Sequence, residues 1–290
     1  MKYQNGQIRH ILDLSKDEKR EFAQSFDTIM SDCDGVVWHF TGSIPDVDKA
    51  LQLLKQKGKK LAFISNNGMR TMEEYKQKFL KLGIPSHELE IVHPALTTVR
   101  YLKAINMQDA VYCIATEVFK DYLRNEGYVV LDGVGAVVMD LDCNVSLAHL
   151  MRAKCYLQRN PNCLLLAGAT DYIVPLGGDG RDVIGPGYFL EMLERATGRE
   201  ALVLGKPGQA LSQFILEQFN VTQPERTLFI GDMLMQDMGF GSRCGFQKLL
   251  LLSGGTSLEM LMAHNKPEEL PDFYADSFAD FIQLYKDISE

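Results

Sequence analysis

Asp32 and Asp34 are the first residues of the chain whose types and spacing suggest chemistry. They stand two apart in an Asp-Cys-Asp-Gly sequence, directly after the short β-prone run 28–31. Because side chains alternate along an extended chain, both carboxylates would face one target. One could attack phosphorus as a nucleophile, while the other protonates a leaving alkoxide and then activates water. Taken alone, the tetrapeptide is equally compatible with a solvated turn.

Other polar residues also follow short apolar runs. They are Ser65 and Asn66 after 61–64, Lys206 after 202–205, and Asp232 and Asp237 after 228–231. In open parallel sheets the ligand crevice lies beyond the carboxyl ends of the strands. We therefore expect these side chains to converge with the first two aspartates.

Four carboxylates in one crevice need compensating positive charge, because neighbouring carboxylates raise one another's pKa. No cluster of histidine or cysteine accompanies them, and a set of oxygen ligands suits the hard cation Mg²⁺. Together with Lys206, the ion would supply the positive charge that an acidic chain needs to hold a phosphate. The sequence therefore predicts Mg²⁺ as cofactor.

The elements that must position these residues alternate between strand and helix. Apolar runs at 28–31 and 61–64 are separated by a helical pattern over 46–57, and a further helix is predicted over 71–82. Such alternation, with polar residues at the carboxyl end of each strand, is typical of a parallel α/β sheet. The same pattern continues between 110 and 166, and we interpret this middle part as an insertion into the first domain.

Composition narrows the possible partners. The 290 residues carry a formal net charge of −8, which disfavours binding to nucleic acid because that needs a clustered basic surface. We find neither an apolar stretch that could span a membrane nor a secretory signal, so we expect a cytoplasmic protein. Six cysteines without a C-x-x-C pair argue against a zinc site.

The ordered set of motifs resembles the haloacid dehalogenase superfamily of phosphatases. The motifs are 32–36 (DCDGV), 65–67 (SNN), 205–207 (GKP) and 231–237 (GDMLMQD). The flanking sequence is similar to the branch that contains 4-nitrophenylphosphatase, phosphoglycolate phosphatase and pyridoxal phosphatase (chronophin). The resemblance covers nearly the whole chain, and it implies a Rossmann-like core with an inserted α/β cap of the C2 type.

The resemblance also implies a role for each motif residue. Asp32 would be the nucleophile and Asp34 the general acid and base, with Ser65, Asn66 and Lys206 binding the phosphoryl group. Mg²⁺ would be held by Asp32, the main-chain carbonyl of Asp34 and Asp232, with Asp237 in the outer part of the site. The implied substrate is a small phosphorylated metabolite.

The resemblance divides the chain into a core over 1–105 and 201–290 and a cap over 106–200. Asp171, Tyr172 and Arg181 fall in the substrate-facing region of the cap. The family also implies a homodimer formed through the caps.

Three residues depart from the family pattern: Met233, Met235 and Gln236 stand where members of this branch usually carry Arg, Asp, and Thr or Ser. A second hypothesis is therefore a catalytically weakened homologue that acts as a regulatory or binding protein. A phosphoprotein phosphatase is a third, although a large cap over the site favours small substrates.

Overall fold

The computed structural model describes residues 8–130, 135–175 and 181–289. In chain order the strands are β1 (Arg9–His10), β2 (Thr28–Ser31), β3 (Trp38–His39), β4 (Gly42–Ser43), β5 (Lys60–Ile64), β6 (Ile91–Val92), β7 (Val111–Ile114), β8 (Ala136–Met139), β9 (Leu164–Ala167), β10 (Ile173–Pro175), β11 (Asp182–Ile184), β12 (Leu202–Val203), β13 (Thr227–Gly231), β14 (Gln247–Leu251) and β15 (Phe273–Ala275). The α-helices are α1 (Lys16–Gln24), α2 (Val47–Gln56), α3 (Met72–Lys81), α4 (Pro94–Ala104), α5 (Glu117–Asn125), α6 (Leu147–Arg159), α7 (Gly187–Thr197), α8 (Gln209–Gln218), α9 (Gly239–Cys244), α10 (Leu258–Ala263) and α11 (Asp280–Ser289). Short 3₁₀ turns occur at Ile11–Asp13, Ser86–Glu88, Pro224–Arg226 and Pro267–Glu269.

The larger sheet is parallel, with the strand order β1-β15-β14-β13-β2-β5-β6. Strand β2 lies between β13 and β5, and Ser31 at its end is paired with Ile230 on one side and Phe63 on the other. The residues that follow these three strands therefore leave the sheet at the same edge. The predicted parallel α/β fold is confirmed.

Apolar side chains cover both faces of this sheet. Ile29 packs on one face with Phe63 and Phe79, whereas its neighbour Met30 packs on the other face with Phe229. Consecutive side chains of a strand point to opposite faces, so a strand buried on both sides needs a continuous apolar run. This requirement explains why 28–31 reads as an unbroken β-prone segment.

A second parallel sheet has the strand order β12-β9-β8-β7. We predicted that the strand before Lys206 belongs to the main sheet, and that prediction is wrong. Leu202 and Val203 pair with Leu166 and Ala167 of β9 instead. The backbone nitrogen of Leu204 continues this pairing by donating a hydrogen bond to the carbonyl of Ala167 at 2.7 Å.

Helix α4 packs mainly with the second sheet, although its Leu96 packs against the apolar cluster of the larger sheet. Its residues Ala95, Val99 and Leu102 share a buried cluster with Val111 of β7 and Val138 of β8. The second sheet and its supporting helices therefore extend from 94 to 203. No helix within the described ranges is long and apolar enough to cross a membrane.

Candidate active site

The ammonium group of Lys206 lies between two carboxylates at the carboxyl edge of the larger sheet. Its Nζ atom is 2.8 Å from Oδ1 of Asp32 and 2.6 Å from Oδ1 of Asp237. Burial alone would lower the pKa of Lys206, but the charges of Asp237 and Asp32 outweigh it and raise this pKa. The buried ammonium group therefore stays charged and is fixed by two ion pairs.

Asp237 is fixed by an unusual turn of the backbone. A π-helical turn over Leu234–Met238 brings the carboxylate back to the end of β13, where Oδ2 accepts hydrogen bonds from the backbone nitrogens of Asp232 at 3.0 Å and Met233 at 2.9 Å. Gly231 permits this approach, because a Cβ there would lie 2.2 Å from Cβ of Asp237. Both of its carboxylate oxygens already have partners. Asp237 therefore acts by holding Lys206 and the backbone after β13 in place.

The surroundings of Asp232 fit a metal ion. Its Oδ2 accepts a hydrogen bond from the backbone nitrogen of Gly255 at 2.6 Å, whereas its buried Oδ1 has no hydrogen-bond partner. Carboxylate oxygens of Asp32, Asp232 and Asp237 lie within 4.8 Å of one another. A buried carboxylate oxygen among other carboxylates needs a cation or a proton, and an all-oxygen donor set suits Mg²⁺.

Two glycines leave the space that Asp232 occupies. A Cβ atom would lie 2.4 Å from Oδ2 of Asp232 at Gly35 and 2.1 Å from it at Gly254. Gly35 also adopts a left-handed conformation, with φ of +81°, which glycine tolerates better than any other residue. The glycine after the first two aspartates is therefore required by both backbone conformation and space.

The charges of the site do not balance without a further cation. Burial raises the pKa of Asp32 to about 7, with the charge of Lys206 opposing the rise and that of Asp237 adding to it. Burial, Asp237 and Asp32 likewise raise the pKa of Asp232. Full ionisation would leave an excess of two negative charges, which one divalent cation neutralises. The groups counted are the carboxylates of Asp32, Asp34, Asp232 and Asp237 and the cations Lys206 and Arg70.

Asp34 faces the same space but is held by different partners. Its Oδ2 accepts hydrogen bonds from Arg70 at 2.9 Å and from Asn67 at 3.1 Å, and its Oδ1 accepts one from the indole nitrogen of Trp38 at 3.0 Å. The side chain is one-third exposed. Asp34 is thus oriented by three donors and is more open to solvent than the buried Asp32.

Ser65 and Asn66 occupy the loop after β5. The Ser65 hydroxyl accepts hydrogen bonds from the backbone nitrogen of Asn67 at 3.0 Å and from the hydroxyl of Tyr75 at 3.2 Å. Its own proton can then be donated to a ligand in the adjacent cavity.

The Asn66 side chain is already engaged. Its Oδ1 accepts from the backbone nitrogen of Lys206 at 2.8 Å, and its Nδ2 donates to the Lys206 carbonyl and to Asp171, each at 3.1 Å. A phosphoryl contact from Asn66 would therefore have to come from its main chain.

A cavity of about 700 Å³ extends from Asp32 and Asp34 to the second sheet and includes Asp171 in its wall. Two other predicted substrate-facing residues, Tyr172 and Arg181, are not among the described residues that line it. The hydroxyl of Tyr172 donates to Glu191 at 3.3 Å, and its ring packs edge-on against Tyr188. Arg181 is exposed.

Sequence reasoning missed two acidic residues in the wall of this cavity, Asp140 and Asp142. Both follow β8, so the rule that identified the other site residues, polar groups after a strand, also applied to them. Asp140 is 3% exposed, its Oδ1 accepts from the backbone nitrogen of Leu141 at 2.7 Å, and its Oδ2 has no partner. Burial raises the pKa of Asp140 to about 8, and the nearby charge of Asp171 contributes to this shift.

The fold and this acidic site, bridged by Lys206, are those of a known class of hydrolases. Residues 29–129 match the model of the haloacid dehalogenase-like hydrolase family, and residues 203–281 match a second, HAD-hydrolase-like model. The chain is 31% identical over 94% of its length to glycerol-3-phosphate phosphatase of Gallus gallus, covering 96% of that protein. It is also 31% identical over 93% of its length to phosphoglycolate phosphatase 2 of Arabidopsis thaliana, covering 97% of that protein.

The structure is similar to 4-nitrophenylphosphatase of Thermotoga maritima, with a TM-score of 0.78 at 23% identity over 90% of this chain and 98% of that chain. At this identity the likeness supports the fold alone. Taken with the sequence relatives, the chain belongs to the haloacid dehalogenase-like hydrolases. The family resemblance and the predicted enzyme class, a phosphatase, are confirmed.

Gly254→Ala should weaken metal binding, because the added Cβ displaces the Asp232 carboxylate. Mg²⁺ should raise the melting temperature of the unsubstituted protein relative to EDTA, and this rise should be largely lost in the variant. Gly239→Ala is the matched control, since its Cβ would have no neighbour nearer than 3.6 Å. Thermal unfolding across a Mg²⁺ titration measures the effect, and an unchanged Mg²⁺ response in Gly254→Ala would contradict the assignment.

Asp140 should make the protein less stable as the pH rises. Its pKa is about 8 in the folded protein against an ordinary 3.8, so between these values the folded state holds a proton that the unfolded chain has lost. Asp140→Asn should remove this dependence and raise the free energy of unfolding at pH 8 by about 1–3 kcal/mol, with little gain at pH 4. Urea unfolding at several pH values tests this, and an equal change at both extremes would count against it.

Proposed function

We propose that this protein is a Mg²⁺-dependent phosphomonoesterase that hydrolyses small phosphorylated metabolites through an aspartyl-phosphate intermediate. The observation that carries the proposal is the buried carboxylate of Asp32, which is bound by Lys206 and lies beside the unpartnered oxygen of Asp232. The names of the relatives supply the substrate classes to be tested first, which are glycerol 3-phosphate and phosphoglycolate. Pyridoxal phosphate and the generic substrate 4-nitrophenyl phosphate complete the set.

In the first step a carboxylate oxygen of Asp32 attacks phosphorus, and the bond between phosphorus and the ester oxygen breaks. Asp34 gives a proton to the leaving oxygen, which departs as an alcohol. Lys206 lies 2.8 Å from Asp32, where its charge can stabilise the negative charge on the transferring phosphoryl group. Ser65, with its hydroxyl proton available, is placed to bind a phosphoryl oxygen.

In the second step Asp34 removes a proton from water, which attacks phosphorus and releases Asp32 with inorganic phosphate. Asp34 can serve in both steps because the proton that it gives to the leaving alcohol is replaced by one taken from the attacking water. Its partial exposure is consistent with contact with a water molecule from the cavity. Hydrogen bonds from Arg70, Asn67 and Trp38 fix the orientation of its carboxylate.

Asp32, Asp232 and the main-chain carbonyl of Asp34 would hold Mg²⁺, with Asp237 outside the inner ligands. The bound ion would neutralise the excess negative charge and bring the phosphoryl group close to the carboxylates. Two carboxylates with further oxygen or water ligands are the usual coordination of this ion.

We further propose the division into a catalytic core and a substrate-selecting cap, which the presence of two separate parallel sheets supports. The packing of α4 and the pairing of β12 favour cap limits of about 94 and 203 over the 106–200 predicted from the sequence. Enclosure of the cavity by the cap would exclude bulk water from the first step. We also propose a cytoplasmic location.

The alternative of a weakened homologue depends on Met233, Met235 and Gln236. Asp237 nevertheless retains its hydrogen bonds to two backbone nitrogens and its ion pair with Lys206. This intact support favours an active enzyme over a binding protein. A cavity of limited volume likewise favours small molecules over phosphoproteins.

Asp32→Asn should reduce turnover of 4-nitrophenyl phosphate in Mg²⁺ at least about a thousandfold, because an amide is a poor nucleophile for phosphorus. The fold should persist, since the amide oxygen can still accept the hydrogen bond from Lys206. Asp27→Asn is the matched control: Asp27 is exposed at the opposite end of β2 and should leave kcat unchanged. Substantial activity in Asp32→Asn would refute the assignment of Asp32 as the nucleophile.

We propose that the predicted homodimer forms through exposed apolar residues of α6 and α7. Leu147 and Met151 are 69% and 59% exposed, and Tyr188 and Met192 are each 49% exposed. Leu147→Asp combined with Met151→Asp should convert a dimer to a monomer in sedimentation or light scattering. Changing the similarly exposed Met260 and Met262 of α10 to Asp is the control, and a monomeric unsubstituted protein would disprove the proposal.

A further inference from the structure

The cavity is much larger than a phosphoryl group requires, so most of it must accommodate the organic part of a substrate. Its volume of about 700 Å³ is typical of a small-molecule site. Beyond the phosphoryl end its wall is largely apolar. The apolar residues are Phe40, Ile114, Met139, Leu141, Val145, Val174, Val183, Ile184 and Phe189.

The polar side chains at this end of the cavity are mainly acidic. Asp140 and Asp142 follow β8, and Asp171 comes shortly after β9. Asp142 is partly buried, and its Oδ1 accepts a hydrogen bond from the backbone nitrogen of Asn144 at 2.8 Å. An anionic group bound here would therefore meet carboxylates.

The lysine and arginine side chains at the cavity are already engaged in ion pairs. Among the described residues the one lysine or arginine in the wall is Arg70, which is paired with Asp34 and lies over the ring of Trp38. Lys206 is paired with Asp32 and Asp237. A second anion on the substrate would thus lack a counter-ion at the end formed by the second sheet.

Asp140 also shows that this part of the cavity wall is poor in hydrogen-bond donors and positive charge. Its carboxyl group is almost completely buried, and Oδ2 has no hydrogen-bond donor. A Cβ on Gly168 would lie 2.2 Å from this oxygen, so glycine leaves the space for the acid. A buried acid close to a second acid keeps its proton at neutral pH, so Asp140 can share a hydrogen bond with a hydroxyl group but supplies no positive charge for an anion.

We propose that the end of the cavity formed by the second sheet accepts phosphomonoesters whose organic part is apolar and ends in a neutral hydroxyl or a protonated amine, and discriminates against those with a second anionic group. The proposal rests on the proposed phosphatase function and adds the substrate class. It favours a polyol phosphate over phosphoglycolate, and it assigns Asp142 as a specificity-determining residue.

Three phosphate esters of matched size test the preference for the charge of the organic part directly. They are 2-hydroxyethyl phosphate, phosphoethanolamine and phosphoglycolate. With the full chain in Mg²⁺, we expect kcat/KM for phosphoglycolate to be at least about tenfold below that of the other two. The difference should shrink at high salt, because exposed charges are screened. Equal or faster turnover of phosphoglycolate would overturn the proposal.

Asp142→Asn should reduce this discrimination about threefold or more by raising kcat/KM for phosphoglycolate relative to that for 2-hydroxyethyl phosphate. The amide oxygen can keep the hydrogen bond from Asn144, so the local turn should persist. Asp109→Asn is the matched control, because Asp109 is exposed and precedes β7 at the opposite end of the second sheet. If Asp142→Asn leaves the ratio unchanged, Asp142 does not determine specificity.

Hydrolysis of 4-nitrophenyl phosphate separates failure of this proposal from failure of the proposed function. If that ester is hydrolysed but phosphoglycolate is preferred, only the charge preference is wrong. If no ester is hydrolysed, the proposed function fails, and calorimetric titration of the same three esters into the Mg²⁺-loaded protein decides the preference. Tighter binding of phosphoglycolate than of the other two would then overturn it.

Discussion

The site depends on one buried cation shared by two carboxylates. Lys206 joins Asp32 at the end of β2 to Asp237 in the π-helical turn after β13, so it links residues from three distant parts of the chain. Removing Lys206 would leave two buried carboxylates with uncompensated charge, and breaking a buried ion pair in this way typically costs about 3–5 kcal/mol. The same interaction fixes the position of the Asp32 carboxylate, which we propose as the nucleophile.

Strand order supplies the remaining geometry. Because β2 is flanked by β13 and β5 in a parallel sheet, three loops that are distant in sequence meet around Asp32. Glycines then decide how closely the loops approach: Gly231 admits Asp237, and Gly35 and Gly254 admit Asp232. The acidic groups are thus brought closer together than their charges alone would favour, which supports the divalent cation that we propose here.

Much of this arrangement could be predicted from the sequence, because buried strands and polar strand ends leave local patterns. The positions of Asp32, Asp34, Asp232 and Lys206 at one edge followed from such patterns. The sheet to which β12 belongs did not, since two apolar residues pair equally well with either sheet until the tertiary fold is known. The engagement of the Asn66 amide by Lys206 and Asp171 has no sequence signal, because partners 140 and 105 residues away are set by topology.

The pairing of β12 with the second sheet has a mechanical consequence. The chain passes from that sheet to Lys206 within three residues, from Val203 to Lys206. It passes from the larger sheet toward the second sheet through His93, the single residue between β6 and α4. A rigid-body swing of one unit against the other would need its hinges at these two crossings. A change in the backbone torsions of Leu204 or Gly205 would then move the ammonium group as well. The opening of the cavity and the position of Lys206 would therefore change together.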